Sequence, residues 1–480
     1  MGSEFSAFHP YCTTFQTNRM ITIPDELNEI LNSSPLLRKA FLVGGCVRDS
    51  ILGHTVTDYD IEVYGTDFEK LQNQLTRFGR TNIVGKSFGT LKLRTQSGMQ
   101  FDFSLPRKDS KTGKGHRGFT VDFDPDLSIE EACSRRDFTI NAIMYNPFDA
   151  KVEDPFHGLQ DLENRLLRHT SGAFAEDPLR VLRGMQFVSR FDLETAPATL
   201  ELCHSIRHTF KELASERIWG EWFKWATLSV TPSRGLDFLR LSGWWDHYPA
   251  LRDLSGTPQD SQWHPEGDVW VHTLHVCDAM AQSRGWQVSP PTRKATLMLA
   301  ALTHDFGKPS TTEKVIRDGR ERITSHRHDT VGAPMAEQFL SDLGCPTELA
   351  RPVPPLVREH IRGRQSENHR SIRRLARRLT PSNIQDLCLL MRADIAGRPP
   401  KPKSPPAWLI ELENQSQNLG VQNAPPAPIL LGRHLMERGF KPGPAMGAVL
   451  KSAFEAQLDG EFHDLDTARV WLEKNPPEGV

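Results

Sequence analysis

Between residues 41 and 65 the chain reads FLVGGCVRDSILGHTVTDYDIEVYG, and the TDYDIEV within it restricts the fold more than any other stretch. In a β-strand successive side chains point to opposite faces, so Asp58 and Asp60 project to one side and Tyr59 to the other. Two neighbouring carboxylates repel. The pair is tolerable on an open rim, or where divalent cations bridge it, and hard oxygen ligands of this kind suit Mg²⁺ carrying bound phosphates. A third carboxylate, Asp102 in QFDFSLP, alternates with Phe101 and Phe103 on what should be a neighbouring strand. Three carboxylates can hold two metals, one lowering the pKa of an attacking hydroxyl and the other steadying a leaving pyrophosphate.

The glycines upstream fit the same picture. Gly44 and Gly45 follow the apolar strand AFLV, where the lack of a Cβ lets backbone N–H groups approach a triphosphate, and Arg48 adds positive charge. Taken singly, an Asp-x-Asp also fits a surface pair and a Gly-Gly an ordinary turn; order and spacing together carry the reading.

With 480 residues the expectation is about three domains. An apolar fraction of 38% and a charged fraction of 25% are ordinary for a globular chain and exclude a disordered one. No stretch is apolar enough to span a bilayer, and the N-terminus lacks the basic and apolar regions of a secretion signal; its first five residues look like a cloning remnant. The expectation is a cytoplasmic protein with no membrane partner. Seven cysteines (Cys12, Cys46, Cys133, Cys203, Cys277, Cys345, Cys388) lack a CxxC spacing, which argues for reduced, buried thiols. Net charge is only −2, but Arg370, Arg373, Arg374, Arg377 and Arg378 cluster in HRSIRRLARRL, either as a solvated helix face or as a track for a phosphate backbone.

Short β-branched and aromatic runs between residues 20 and 105 predict a small α+β unit, and the polar, basic stretch 106–125 predicts a mobile loop. Beyond it LSIEEACSRRDFTINAIMYN, EDPLRVLRGMQFVSRF and ATLELCHSIRHTFKEL show helical spacing, and a helical remainder follows, interrupted near 255–267 and by the Pro/Lys linker GRPPKPKSPPAW. The expected division is a head at 20–150, a helical neck and body at 151–255, a further helical domain at 256–398 and a helical tail at 409–480.

LVGGCVRDSILG…TDYDIEVYG resembles the glycine-glycine/Asp-x-Asp signature of the polymerase-β-like nucleotidyltransferases, in the class II branch holding bacterial tRNA nucleotidyltransferases and poly(A) polymerases. RRDFTINAI, DPFHGLQDLENRLLR, EDPLRVLRGMQFVSRF and SERIWGEW resemble successive motifs of that branch in the same order, so the likeness covers roughly residues 40–225. It implies an α+β head with a small mixed sheet and flanking helices, then a mostly α-helical neck, further domain and tail. It also implies Mg²⁺ at Asp58, Asp60 and Asp102, with CTP, ATP and tRNA rather than DNA as partners.

On a helix Asp177 and Arg180 would share a face. The carboxylate accepts from an exocyclic amine and the guanidinium donates to a ring nitrogen and carbonyl, which matches cytosine and, through N6 and N1, adenine. Uracil and guanine present O4 or O6 instead of the amine, a mismatch worth about 1–3 kcal/mol. The resemblance assigns the same two positions to base recognition. Asp137 and Asn141, four apart, are candidates to hold a ribose hydroxyl, with Arg136 near the phosphates and Arg183 completing the nucleotide-binding set. Asp161 and Arg165 have the spacing of a spring between head and neck or of a plain ion pair. Gln186-Phe187 stands where relatives often carry Arg-Phe, a departure expected to touch helix packing. In the resembling family, a flexible loop at the position of Lys108, Lys111, Lys114, His116 and Arg117 helps the switch from C to A addition; its full length here favours a protein able to add A.

A second constellation lies between residues 264 and 394. His304 and Asp305 are adjacent, His272 lies one helix upstream and Asp394 comes late. Imidazoles with carboxylates suit Mn²⁺, Ni²⁺, Co²⁺ or Fe²⁺ and can activate water for phosphoester hydrolysis. The pattern resembles an HD-type phosphohydrolase domain, with His328 and His360 as second-metal ligands, and implies phosphodiesterase or phosphatase activity. The tail from residue 428 resembles the C-terminal helical module of the same enzymes, with His434 where an acid is common, implying contact with tRNA. The leading expectation is CCA addition to tRNA 3′ ends from CTP and ATP without a template. The alternatives are an A-adding enzyme or poly(A) polymerase and, in another class, an HD hydrolase with a relic head or a non-catalytic RNA-binding protein.

Overall fold

The alternating runs of the first third of the chain become strands β1 (Ala40–Val43), β2 (Tyr59–Val63), β3 (Gly79–Val84), β4 (Thr90–Thr95), β5 (Gln100–Ser104), β6 (Arg107–Lys111), β7 (Phe119–Phe123), β8 (Met144–Asn146) and β9 (Lys151–Glu153). The computed structural model describes residues 21–84, 89–111, 119–317, 319–361 and 368–475. Seven strands form one sheet in the order β3-β4-β5-β2-β1-β8-β9, while β6 and β7 pair separately. The sheet is mixed because β2 and β5 run parallel within otherwise antiparallel neighbours.

Period-two burial explains the register. Leu91, Leu93, Phe101, Phe103, Ile61 and Val63 are buried on one face with Leu27, Ile30 and Leu31 from the helix Asp25–Asn32. Burying each such side chain contributes about 1.5–3 kcal/mol, and a one-residue slip of β5 would exchange two phenylalanines for Asp102. Register is thus fixed by the core, and the carboxylates follow.

The chain forms two compact units, Met1–Val188 with Asp192–Leu213, and Ser189–Phe191 with Ala214–Val480. The second is chiefly helical, from Ser215–Leu228 through Val269–Gln282, Pro291–Thr303, His328–Asp342 and Ile384–Ala396 to Pro444–Asp459 and Leu465–Lys474. Trp222 stacks edge-on with Trp225, Tyr248 and Phe339 in its interior. No helix among the described residues is long and apolar enough to cross a membrane. None of the six described cysteines is in a disulfide, and all but Cys345 are buried.

Several expectations are corrected. The stretch 106–125 is not wholly loop, since β6 and β7 pair from Arg107↔Phe123 to Lys111↔Phe119; Lys114, His116 and Arg117 lie outside the described residues, and of Lys108 and Lys111 only the backbone is described. The helical remainder contains a hairpin, Thr312–Arg317 with Arg320–Ser325, whose alternation and Asp-Gly turn signal outweighed helical spacing. The five clustered arginines make ion pairs and hydrogen bonds within the second unit. Arg370 and Arg374 reach Asp459, Arg374 and Arg377 reach Glu455, Arg378 grips Glu359 and Arg373 donates to the Leu458 carbonyl. Four of them tie the helix His369–Arg378 to Pro444–Asp459, and Arg378 ties it to Val353–Glu359.

Candidate active sites

In the first unit, Asp60 stands in direct register with Asp102 across the parallel β2–β5 pair. Asp58 lies one residue before β2, and both Asp58 and Asp60 are open to solvent. Lys92, opposite Asp102 on β4, places Nζ 2.7 Å from Oδ2 of Asp102, and Asp102, Asp60 and Asp58 together raise its pKa. The three carboxylates thus share one field. Crowding by protein raises the Asp60 pKa, Arg136 opposes it, and Asp102 and Asp58 push it further up. That mutual repulsion is what a divalent cation relieves, so the donor set fits one.

Gly44 caps the N-terminus of the helix Gly45–Ile51 at φ 72° and ψ −131°, a conformation open to glycine. A Cβ there would lie 3.1 Å from Arg136 Nη1 and 3.9 Å from Asp60 Oδ2, so the missing side chain keeps Arg136 beside the carboxylates. Glu62 is a residue sequence reasoning missed. Two positions past Asp60 on the same face, it is 1% exposed and accepts from Tyr64 Oη at 2.9 Å, Arg135 Nη2 at 3.0 Å and Arg136 Nη2 at 3.4 Å. The period-two pattern Asp58, Asp60, Glu62 was the available signal.

Asp137 and Asn141 do meet, but not on a helix face: the helix Ile129–Ser134 ends first, and a 3-10 turn, Thr139–Asn141, brings them together. Asn141 Nδ2 donates to Asp137 Oδ1 at 2.9 Å, Arg183 donates to Asp137 Oδ2 through Nε at 2.7 Å, and Arg48 Nη1 donates to Asn141 Oδ1. Burial pushes the Asp137 carboxyl up, but Arg183, Asn141 and Arg180 outweigh it and hold it below the ordinary range. Arg48 and Arg183 each stack over the Phe187 ring at 5.2 Å. Phe187 therefore supports these arginines besides packing on Phe138, whereas Gln186 is buried with its Oε1 unpartnered.

Asp177 does not share a helix face with Arg180, because proline at 178 places it before the helix Leu179–Phe191. Its carboxylate accepts from Leu179 N–H at 3.1 Å, while Arg180 Nη1 and Nη2 donate to the carbonyls of Ala173 and Arg135. Two of five guanidinium N–H groups are used there, leaving three. The Asp161–Arg165 pair does not form. Asp161 accepts from Thr139 Oγ1 at 2.7 Å and Arg168 Nε at 3.1 Å, and Arg165, at φ 51°, turns to Asp192 at 3.0 Å.

The second unit holds a buried cluster. Nε2 of His272 lies 3.1 Å from Asp394 Oδ1 and 3.4 Å from His304 Nε2, which is itself 3.1 Å from Asp305 Oδ2. Nε2 of His328 lies 3.3 Å from His360 Nε2 and 3.4 Å from Asp305 Oδ1. His272, His304 and Asp394 form one group within ligating reach of a single ion, and Asp305, His328 and His360 a second. Asp305 faces both, one buried oxygen to each, and Lys308 Nζ lies 2.7 Å from its Oδ2. The other ring nitrogens are fixed: Nδ1 of His304, His328 and His360 sits 2.8, 2.7 and 2.6 Å from the carbonyls of Ala301, Ser325 and Val357, and that of His272 2.8 Å from Glu266. Such outer bonds set the tautomer that leaves each Nε2 lone pair inward, so the residues fit two metal ions. Burial lowers the pKa values of His328 and His360, favouring the neutral ligand form. Burial alone would raise Asp305 and Asp394, yet His304 and Lys308 hold the first, and Arg398 and His272 the second, well below the usual carboxylate range. Sequence reasoning missed Glu266, Lys308 and Arg398; the last two stand three and four residues after their aspartates, at helical-neighbour spacing.

Residues 40–168 match the Poly A polymerase head domain and residues 270–396 the HD domain. A fold with a nucleotidyltransferase head and an HD domain, both divalent-metal-dependent kinds, defines a tRNA-processing class of enzyme. The chain is 35% identical over 369 residues to the multifunctional CCA protein of Nitrosococcus oceani, covering 75% of this chain and 85% of that one. It is 34% identical over 384 residues to that of Vibrio vulnificus, with 75% and 86% covered. The chain belongs to the multifunctional CCA protein family. Its fold is shared with Bacillus stearothermophilus CCA-adding enzyme in complex with CTP (TM-score 0.63, 21% identity, 94% and 98% covered) and with Thermotoga maritima CCA-adding enzyme complexed with tRNA (TM-score 0.57, 17% identity, 95% and 96% covered).

Proposed function

We propose that the protein completes tRNA 3′ ends with CCA from CTP and ATP, without a nucleic-acid template, and that its second unit hydrolyses phosphoesters. The observation that carries the first reading is the register pairing of Asp60 with Asp102, with Asp58 beside them and Gly44 and Arg136 on the adjoining rim. Asp58, Asp60 and Asp102 would hold Mg²⁺, which would supply charge that favours loss of the primer 3′-hydroxyl proton and departure of pyrophosphate. Backbone N–H groups at Gly44 and Gly45, with Arg136, neutralise the triphosphate. Asp137 and Asn141 hold the ribose, while Arg48 and Arg183 order that pair. Asp177 and the unused N–H groups of Arg180 read the Watson–Crick edge. The functional division follows the sequence: head 20–150, recognition and body 151–255, hydrolase 256–398, tRNA-contacting tail 409–480.

The geometry around Asp305 favours the second activity. His272, His304 and Asp394 would hold one Mn²⁺, Ni²⁺, Co²⁺ or Fe²⁺, and Asp305, His328 and His360 another; such ions would supply activation of a water for attack on phosphorus. Lys308 and Arg398 line the same cavity and offer charge to a phosphate. A tRNA lacking CCA, incubated with purified protein, Mg²⁺, CTP and ATP, tests the main reading by product mass. The expected gain is C, C and A. A single A added only to tRNA already ending in C-C, a long A tract, or no gain would overturn it.

A further inference from the structure

The open face of the head's sheet carries a cation that the transfer chemistry leaves unexplained. Lys92 on β4 stands in register with Asp102 on β5, and Asp102 with Asp60 on β2, so the three side chains form a row across the strands. The Lys92 side chain is 46% exposed, yet its ammonium is committed, with Nζ 2.7 Å from Asp102 Oδ2. Among the described residues it is the one side chain that bonds this carboxylate, whereas neither Asp58 nor Asp60 enters an ion pair. The outer strands give the ammonium no alternative. Opposite Lys92 on β3 is Asn82, and two residues along the same face Arg94 stands opposite Arg80, both exposed. Like charges in register repel, so the nearest counter-charge for Lys92 is Asp102. A divalent ion bound by Asp102 must therefore displace the ammonium or share the carboxylate with it.

We propose that Lys92 is a positioning residue that competes with metal for Asp102, so that the head holds divalent ions less tightly than its three carboxylates alone would. This role rests on the reading of Asp58, Asp60 and Asp102 as the head's metal site. Lys92 keeps the third carboxylate neutralised when no ion is bound, and it opposes an arriving divalent charge by a repulsion that solvent and salt weaken without removing. The sign separates this role from a structural one. A lysine that only braced Asp102 would leave metal binding weaker when removed; a competing lysine leaves it tighter.

The test titrates full-length protein, without nucleotide or RNA, with Mn²⁺, which accepts the same oxygen donors as Mg²⁺, and reads the free ion by electron paramagnetic resonance. The head's ions are those that Asp60→Ala loses, which sets aside any held by the HD cluster. Lys92→Met and Lys92→Thr, both neutral, should bind the head's ions about 3- to 30-fold more tightly than the wild type, and Lys92→Arg, which keeps the charge, should match the wild type. Affinity unchanged or lowered in both neutral variants, or raised equally in Lys92→Arg, overturns the proposal. An Asp60→Ala protein that loses no ion shows instead that the metal reading of the head is wrong, and the role of Lys92 falls with it.

Discussion

Glu62 shows how much of the head's chemistry depends on a buried residue that meets no substrate. It joins Arg135, Arg136 and Tyr64 below the open carboxylates, and removing one partner from a buried ion pair typically costs about 3–5 kcal/mol. Glu62→Ala should therefore lower the melting temperature of the first unit and raise KM for CTP and ATP as Arg136 loses its anchor. An unchanged KM would show that Arg136 is held by other contacts. Asp137 gives a pH signature. Its folded pKa lies below the unfolded value of about 3.9, so its contribution to stability is present above that value and is lost as pH falls through the folded pKa. The stability gap between wild type and Asp137→Asn, measured by denaturant titration, should thus be largest near pH 7 and shrink below about pH 4. A gap that widens on acidification would reverse the sign. At this scale Asp58, Asp60 and Asp102 were legible because strand alternation dictates their side. The partners of Arg180 and Arg165 were not, because backbone carbonyls and Asp192 compete for the guanidinium and no spacing rule records them.

Elements explain why glycine is required at two places. At Gly44 the positive φ disfavours any side chain, and a Cβ would press on Arg136 Nη1 at 3.1 Å. Gly307, two residues after Asp305, brings another constraint. A Cβ there would fall 2.1 Å from the His328 carbonyl, so this contact sets how near Asp305 can come to the helix bearing His328. Gly307→Ala should separate the two halves of the cluster and cut Mn²⁺ affinity by about 10–100-fold, as read by equilibrium dialysis. Unchanged affinity would mean that the helices can part without moving the ligands. Helices, strands and the β2–β5 pairing were readable from period and turn residues. The turn at Thr139–Asn141 and the early end of the helix Ile129–Ser134 were not, since Asp137 and Asn141 keep helical spacing while their hydrogen bond closes across non-helical backbone.

For the whole molecule, the nucleotidyltransferase head and the HD cluster lie in two different compact units, so their activities should be separable. The HD cluster was legible as residue types, but its division into two groups facing one carboxylate needed coordinates, because the ligands come from five stretches spread over more than a hundred residues. Chelation should silence both activities; afterwards Mg²⁺ alone is expected to restore nucleotide addition, and Mn²⁺ phosphoester hydrolysis. The central claim is that Asp58, Asp60 and Asp102 perform the transfer. It is tested most directly by comparing single-turnover addition of A to a tRNA ending in C-C by the Asp60→Ala and Asp305→Ala proteins. Loss of a group that merely orients a metal ligand costs about 10–100-fold. Asp60→Ala should therefore slow addition by at least about 100-fold while Asp305→Ala adds A at the wild-type rate. Addition that survives in Asp60→Ala, or vanishes in Asp305→Ala, would contradict the account.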